Sequence, residues 1–161
     1  MTIDPTVADL LAKARTAQAL YEKFNQSEVD DVVAAIAWVV LEPVRNQHLS
    51  ERAVEDTGLG DIDDKFTKNY RKTLGLLRDL TGAPSVGVIA TDSERGLVEI
   101  ARPIGVVGAI TPSTNPVATP TNKVMDALKG GNAIILAPSP RGEAVCGELV
   151  DLFRGALDKI G

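Results

Sequence analysis

Asn115 is the side chain of this sequence best placed to do chemistry, because of what surrounds it. An apolar run, Ile104–Ile110, gives way to Thr111-Pro112-Ser113-Thr114-Asn115-Pro116. A second apolar run, Ala133–Ala137, gives way to Pro138-Ser139-Pro140-Arg141-Gly142. Prolines and small polar residues at both breaks let the backbone turn sharply and stay close to a ligand. In open parallel α/β sheets, ligands lie beyond the carboxyl ends of the strands. An Asn amide there donates two hydrogen bonds and needs no proton transfer to do so. That suits an oxyanion hole, where a fixed donor meets charge that develops only in the transition state. The alternative for Asn115 is to cap the following helix, with Pro116 at the first helical position; residue preference alone favours the cap. Ser139, followed by Pro140, reads as a cap as well.

The remaining reactive residue types point to no second site. Cys146 sits beside Val145 on an apolar helical stripe with no His or Lys next to it in sequence, which reads as a buried, inert thiol. His48, the single histidine, lies among polar residues with no partner for a triad or a metal, and reads as a surface residue. No metal-ligand spacing is present. Gly105 and Gly108 lack the third glycine and the helix start of a dinucleotide fingerprint. Lys65, Lys68, Arg71 and Lys72 are interleaved with acidic residues, as on a solvated helix face.

The elements that position the two breaks follow from periodicity. Leu10, Ala14, Ala17, Tyr21 and Phe24 recur at helical spacing. Ser27 is expected to cap a second helix, with Asp30 and Asp31 near its positive end and Val29, Val32, Val33, Ile36 and Val40 on one face. Pro43 starts or kinks a third helix that stops at the glycines of Thr57-Gly58-Leu59-Gly60. A fourth carries Ile62, Phe66, Tyr70, Leu74 and Leu77 as its apolar stripe. The period then changes: "VGVIATD" and "GLVEIAR", separated by "SERG", predict a hairpin. The two apolar runs read as buried parallel strands. A helix with Val124, Ala127 and Leu128 connects them, and a last helix has Val145, Leu149, Leu152, Phe153, Leu157 and Ile160 on its inner face. The fold class is therefore α/β: an N-terminal helical segment (1–82), a hairpin that is a candidate oligomerisation element (83–102), and the start of a Rossmann-like parallel sheet (103–161). Sheets commonly have about four to six strands, so the two parallel strands predict the front part of a larger, truncated domain.

Composition bounds the function. The 161 residues suit one domain, able to bury roughly 70% of its unfolded surface. A net charge of -5 and an aromatic share of 4% offer neither a basic patch nor a stacking platform for nucleic acid. One cysteine suits a reducing cytosol, hence a cytoplasmic expectation. The first ten residues lack the basic start and apolar core of a secretory leader, and no run of about 18 apolar residues predicts a membrane span.

"RPIGVVGAITPSTNP" followed by "ALKGGNAIILAPSPRG" resembles the N-terminal part of the aldehyde dehydrogenase superfamily, and the likeness covers almost the whole chain. Hydrolytic members carry Pro-Trp-Asn at the first strand end. Thr114 in place of the Trp is more similar to the CoA-acylating branch, of the acetaldehyde and sulfoacetaldehyde dehydrogenase type. In that family a cysteine thiolate attacks an aldehyde, the adduct gives hydride to a nicotinamide, and the thioester passes to coenzyme A. The resemblance implies NAD or NADP as cofactor, coenzyme A as co-substrate, a small aldehyde as substrate, and a homo-oligomer built partly by the hairpin. It maps the family's oxyanion Asn onto Asn115. Cofactor contacts map onto Thr111, Pro112 and Ser113 at the first strand end, and onto Ala137, Pro138, Ser139, Pro140 and Arg141 at the second. Many members have a Lys at the position of Ala137 that binds the adenosine ribose, which Ala cannot do. The family's nucleophilic Cys, pyrophosphate turn and acyl-binding domain lie downstream of the matching segment, so this segment by itself is expected to be inactive. The competing classes are a non-catalytic nucleotide-binding or assembly module and a helical interaction protein. The first helix lacks the basic face that a targeting helix would show, and is expected to pack on the next helix.

Overall fold

Side-chain caps set the boundaries of the helical segment. The computed structural model describes residues 4–160, so Met1–Ile3 and Gly161, the extreme ends of the outer segments, lie outside the described residues. Asp4 accepts from the Thr6 N–H at 2.8 Å and opens α1, Pro5–Tyr21. Helix α2, Gln26–Leu41, is opened by Asn25, not by Ser27. Asn25 accepts from the N–H groups of Ser27 and Glu28, and Glu28 accepts from the Asn25 N–H at 2.7 Å. The reciprocal Glu three residues on satisfies two orphan donors at once, which a lone Ser27 could not match. Glu42 accepts from Val44 and Arg45 N–H and opens α3, Pro43–Thr57, with Pro43 in its first turn. Gly58, at φ 64°, ends it in the left-handed region that glycine reaches without strain. Asp61 opens α4, Ile62–Leu80.

Strands β1, Gly87–Asp92, and β2, Leu97–Ala101, form the antiparallel hairpin, with a bulge at Ile89. Strands β3, Val106–Thr111, and β4, Ala133–Pro138, pair in parallel from Val106 opposite Ala133 to Thr111 opposite Pro138. Helix α5, Ala118–Lys129, connects them; a 3-10 turn, Pro140–Gly142, leads into α6, Glu143–Leu157. The Asn132 side chain locks the start of the pair. Its oxygen accepts from Ile104 and Gly105 N–H at 2.7 and 2.9 Å, and its amide donates to the Ala127 and Gly130 carbonyls.

The core crosses the boundary at 103. Ile36 and Val40 of α2 and Leu49 of α3 pack with Met125 of α5 and with Leu149 and Phe153 of α6. Three expectations about faces fail. Helix α1 packs on β4 and β3 rather than on α2, held by Gln18, which donates to the Gly131 carbonyl at 2.8 Å and accepts from the Ala133 N–H. Helix α4 buries Lys65, Asn69 and Thr73, while Tyr70 and Leu74 are exposed. The stripe is turned because Asn69 donates to Asn46 and Ser50 of α3, and Asn46 donates to the Phe66 carbonyl, so a buried polar seam joins the two helices. The parallel strands are not buried on both faces: Ala109 and Thr111 are enclosed, but Ile110 is 90% exposed and Ile104, ahead of the strand, 96%. Alternate side chains of a strand point to opposite faces, and one face of this two-stranded pair is exposed at Gly108, Ile110 and Ala137.

Candidate active site

The parallel register brings the two breaks together. Ile110 lies opposite Ala137 and Thr111 opposite Pro138, and the Ser139 N–H donates to the Thr111 carbonyl at 2.9 Å. Thr111, Pro112 and Ser113 thus stand beside Ala137, Pro138 and Ser139, with Pro140 and Arg141 following, both exposed, on the 3-10 turn. All are at strand carboxyl ends, where an open parallel sheet takes its ligands.

Neither capping expectation holds at these ends. The cap position of α5 is Val117, without a side-chain bond; Pro116 precedes it. Asn115 contributes its backbone carbonyl to Thr119 N–H, while its side-chain amide only reaches Thr114 Oγ1 at 3.5 Å. Its Oδ1 is buried with no protein partner among the described residues. Ser139 stands before the 3-10 turn, one turn short of α6, and makes no side-chain cap. The α6 terminus is served from elsewhere: Asp56 of α3 accepts from the Val145 N–H at 2.8 Å. The 3-10 turn in turn rests on the Asn115 loop. A Cβ built on Gly142 would lie 2.8 Å from Pro116 Cβ, so only glycine fits there.

Thr111, 2% exposed, also has a hydroxyl with no partner among the described residues. Unpaired buried oxygens in a folded protein call for explanation, and two of them fall in this one turn. Ala137 and Arg141 are exposed, leaving Arg141 as the cationic side chain of the two breaks.

Lys65 is the residue that sequence reasoning placed wrongly. It is not on a solvated face: it is 3% exposed, and its Nζ donates to the Thr114 carbonyl at 3.3 Å. Burial, with a smaller contribution from nearby Lys68, holds its pKa below the ordinary lysine range. The available signal was the i, i+4, i+8 series Lys65, Asn69, Thr73, which matches the polar Asn46 and Ser50 of α3. Cys146 is buried and its thiol is pushed up by that burial, as expected of an inert group. His48 is exposed as expected but has a partner, Glu148 of α6, at 2.5 Å.

The chain is similar in sequence and fold to known proteins. The model of the aldehyde dehydrogenase family matches residues 4–158. A sulfoacetaldehyde dehydrogenase (acylating) of Cupriavidus necator is 57% identical over 155 residues, which are 96% of this chain and 31% of that protein. The crystal structure of an acetylating aldehyde dehydrogenase from Geobacillus thermoglucosidasius superposes with a TM-score of 0.91 at 35% identity, over 97% of this chain and 34% of that one. A propionaldehyde dehydrogenase of Rhodopseudomonas palustris, solved with bound CoA and an acylated cysteine, gives a TM-score of 0.79 at 33% identity, over 94% of this chain and 34% of that one. The chain spans about a third of the length of these relatives.

Proposed function

The chain belongs to the aldehyde dehydrogenase family, among its CoA-acylating members, and from that premise we propose that it supplies the cofactor side and the oxyanion donor of an acylating aldehyde dehydrogenase. The overall reaction converts an aldehyde, coenzyme A and NAD+ or NADP+ into an acyl-CoA, the reduced nucleotide and a proton. The observation that carries the reading is the Asn115 side chain: it stands at a parallel strand end and is committed to no cap. Its Nδ2–H groups can therefore donate to a carbonyl oxygen as that oxygen becomes negative, without first giving up a strong protein bond.

The two strand ends fit a nicotinamide nucleotide in donor set. The unpaired Thr111 hydroxyl, the Ser113 hydroxyl, the Ala137–Pro140 backbone and the exposed Arg141 cation would hold its sugar and phosphate groups. A nucleotide held there would supply the hydride acceptor of the reaction. Ala137 brings no ammonium to the adenosine ribose, which leaves charge recognition to Arg141. Cys146 is enclosed and burial pushes its thiol up, the surroundings of an inert group rather than of a nucleophile; these 161 residues alone should turn over no aldehyde.

The test is Asn115→Ala in the whole enzyme. Loss of an oxyanion donor lowers kcat by about 10²–10³, with much less change in KM. Because no cap bond is lost, the melting temperature should barely move. A wild-type kcat in Asn115→Ala, or in Asn115→Asp, which would repel an oxyanion, sinks the assignment.

A further inference from the structure

We propose that Lys65 is a positioning residue of this site: its ammonium, buried beneath the Thr111–Pro116 turn, holds the Thr114 carbonyl and thereby aims the Asn115 amide. This rests on the reading of Asn115 as the oxyanion donor. Two observations carry it. The first is the bond from Lys65 Nζ to the carbonyl immediately preceding Asn115, across 49 positions of sequence. The second is that Lys65 is enclosed without a salt-bridge partner among the described residues, unlike buried Lys129, which pairs with Asp30 at 2.5 Å.

Burying an ammonium is costly unless it is paired and hydrogen-bonded. A lysine serving only to fill the α3–α4 seam would be better replaced by an apolar side chain, as Leu76 and Leu77 fill the same helix further on. What an apolar residue cannot supply is the donor to Thr114. The carbonyl it holds belongs to the peptide unit that carries the Asn115 N–H, so shifting that plane swings the Asn115 Cα–Cβ bond. Gly142 closes the opposite side by resting against Pro116, and the turn is fixed between helix α4 and the 3-10 turn. Catalytic groups must be held to within about half an ångström of productive geometry, and a 1 Å misplacement can cost about 10²-fold.

The experiment uses the whole enzyme in a double-mutant cycle: Lys65→Met, which keeps the stem and removes the donor, Asn115→Ala, and both together. The expected result is a fall in kcat of about 10- to 100-fold for Lys65→Met, with KM nearly unchanged and little further loss when Asn115 is already Ala. A full additional loss in the double mutant would show that Lys65 acts independently of Asn115 and would overturn the proposal. Lys65→Arg, which keeps a cationic donor, should recover part of kcat; equal damage by Arg and Met at equal stability counts against it. A crystal structure of Lys65→Met separates the two readings, since it does not depend on what Asn115 does. A displaced Thr114–Pro116 turn supports positioning even if Asn115→Ala proves fully active, and an unmoved turn ends the proposal even if Asn115 is catalytic. Should Lys65→Met fail to fold, Lys65→Gln and Lys65→Arg carry the same cycle and the same structural comparison.

Discussion

At the scale of single residues, the strand-end turn works by close approach. Gly142 meets Pro116 where a methyl group would sit 2.8 Å from the proline ring, and Pro116 follows Asn115 directly. A ring fused to the backbone cannot swing aside as a flexible side chain does. Gly142→Ala should therefore cost about 1–3 kcal/mol of stability, the usual range for overpacking, and in the whole enzyme should lower kcat more than it raises KM. Thermal melting with steady-state kinetics checks both, and an unchanged kcat would show that the two loops are not mechanically coupled. The place of Asn115 beyond a strand end was open to sequence reasoning because two apolar runs end in Pro and small polar residues. Lys65 was not, because lysines are rarely enclosed and because Phe66, its neighbour, belongs to a more persuasive apolar series. One helical position, about 100° of rotation, separates the solvated reading from the buried one.

At the scale of elements, caps drawn from neighbouring residues leave a signal in the sequence, and caps supplied from afar leave none. Pro43, Gly58 and the hairpin were all legible. Asn25, rather than Ser27, opens α2 because Glu28 reciprocates its bond, and both residues of that pair are legible in the sequence. The α6 terminus is different in kind, since its acceptor, Asp56, is 89 residues away and only the packing of α3 on α6 brings it there. Asp56→Ala should cost about 1 kcal/mol, as loss of a helix cap does, with up to about 2 if the carboxylate also complements the helix dipole. Asp56→Asn, retaining an acceptor without the charge, should recover much of that loss. Chemical denaturation of the three proteins measures the difference, and equal stability for all three would remove Asp56 from the account of α6.

At the scale of the whole molecule, the apolar pattern foretold helices and strands but not how they share a core. The expected helical segment has no interior of its own: α2 is enclosed by α3 and α4 on one side of the chain and by α5 and α6 from the other. Pairing between segments leaves no trace in periodicity. The hairpin is the exception, standing clear of the core, with Val88, Val98 and Ile100 each more than half exposed. Val88 and Ile100 are register partners, and Val98 points to the same face, two residues from Ile100. Exposed apolar strands of this kind invite pairing with another chain, and we predict that they join subunits in the whole enzyme. Val98→Lys should shift the assembly toward smaller species in analytical ultracentrifugation, and an unchanged sedimentation coefficient would take the hairpin out of the interface. The hairpin is also the covalent bridge between α4 and β3, while the bonds that keep those regions together lie elsewhere, in the interior and at Lys65, Gln18 and Asp56. Its turn, around Arg95, is thus a point where the backbone could be severed and the two pieces would still recognise each other, as complementary halves of one fold.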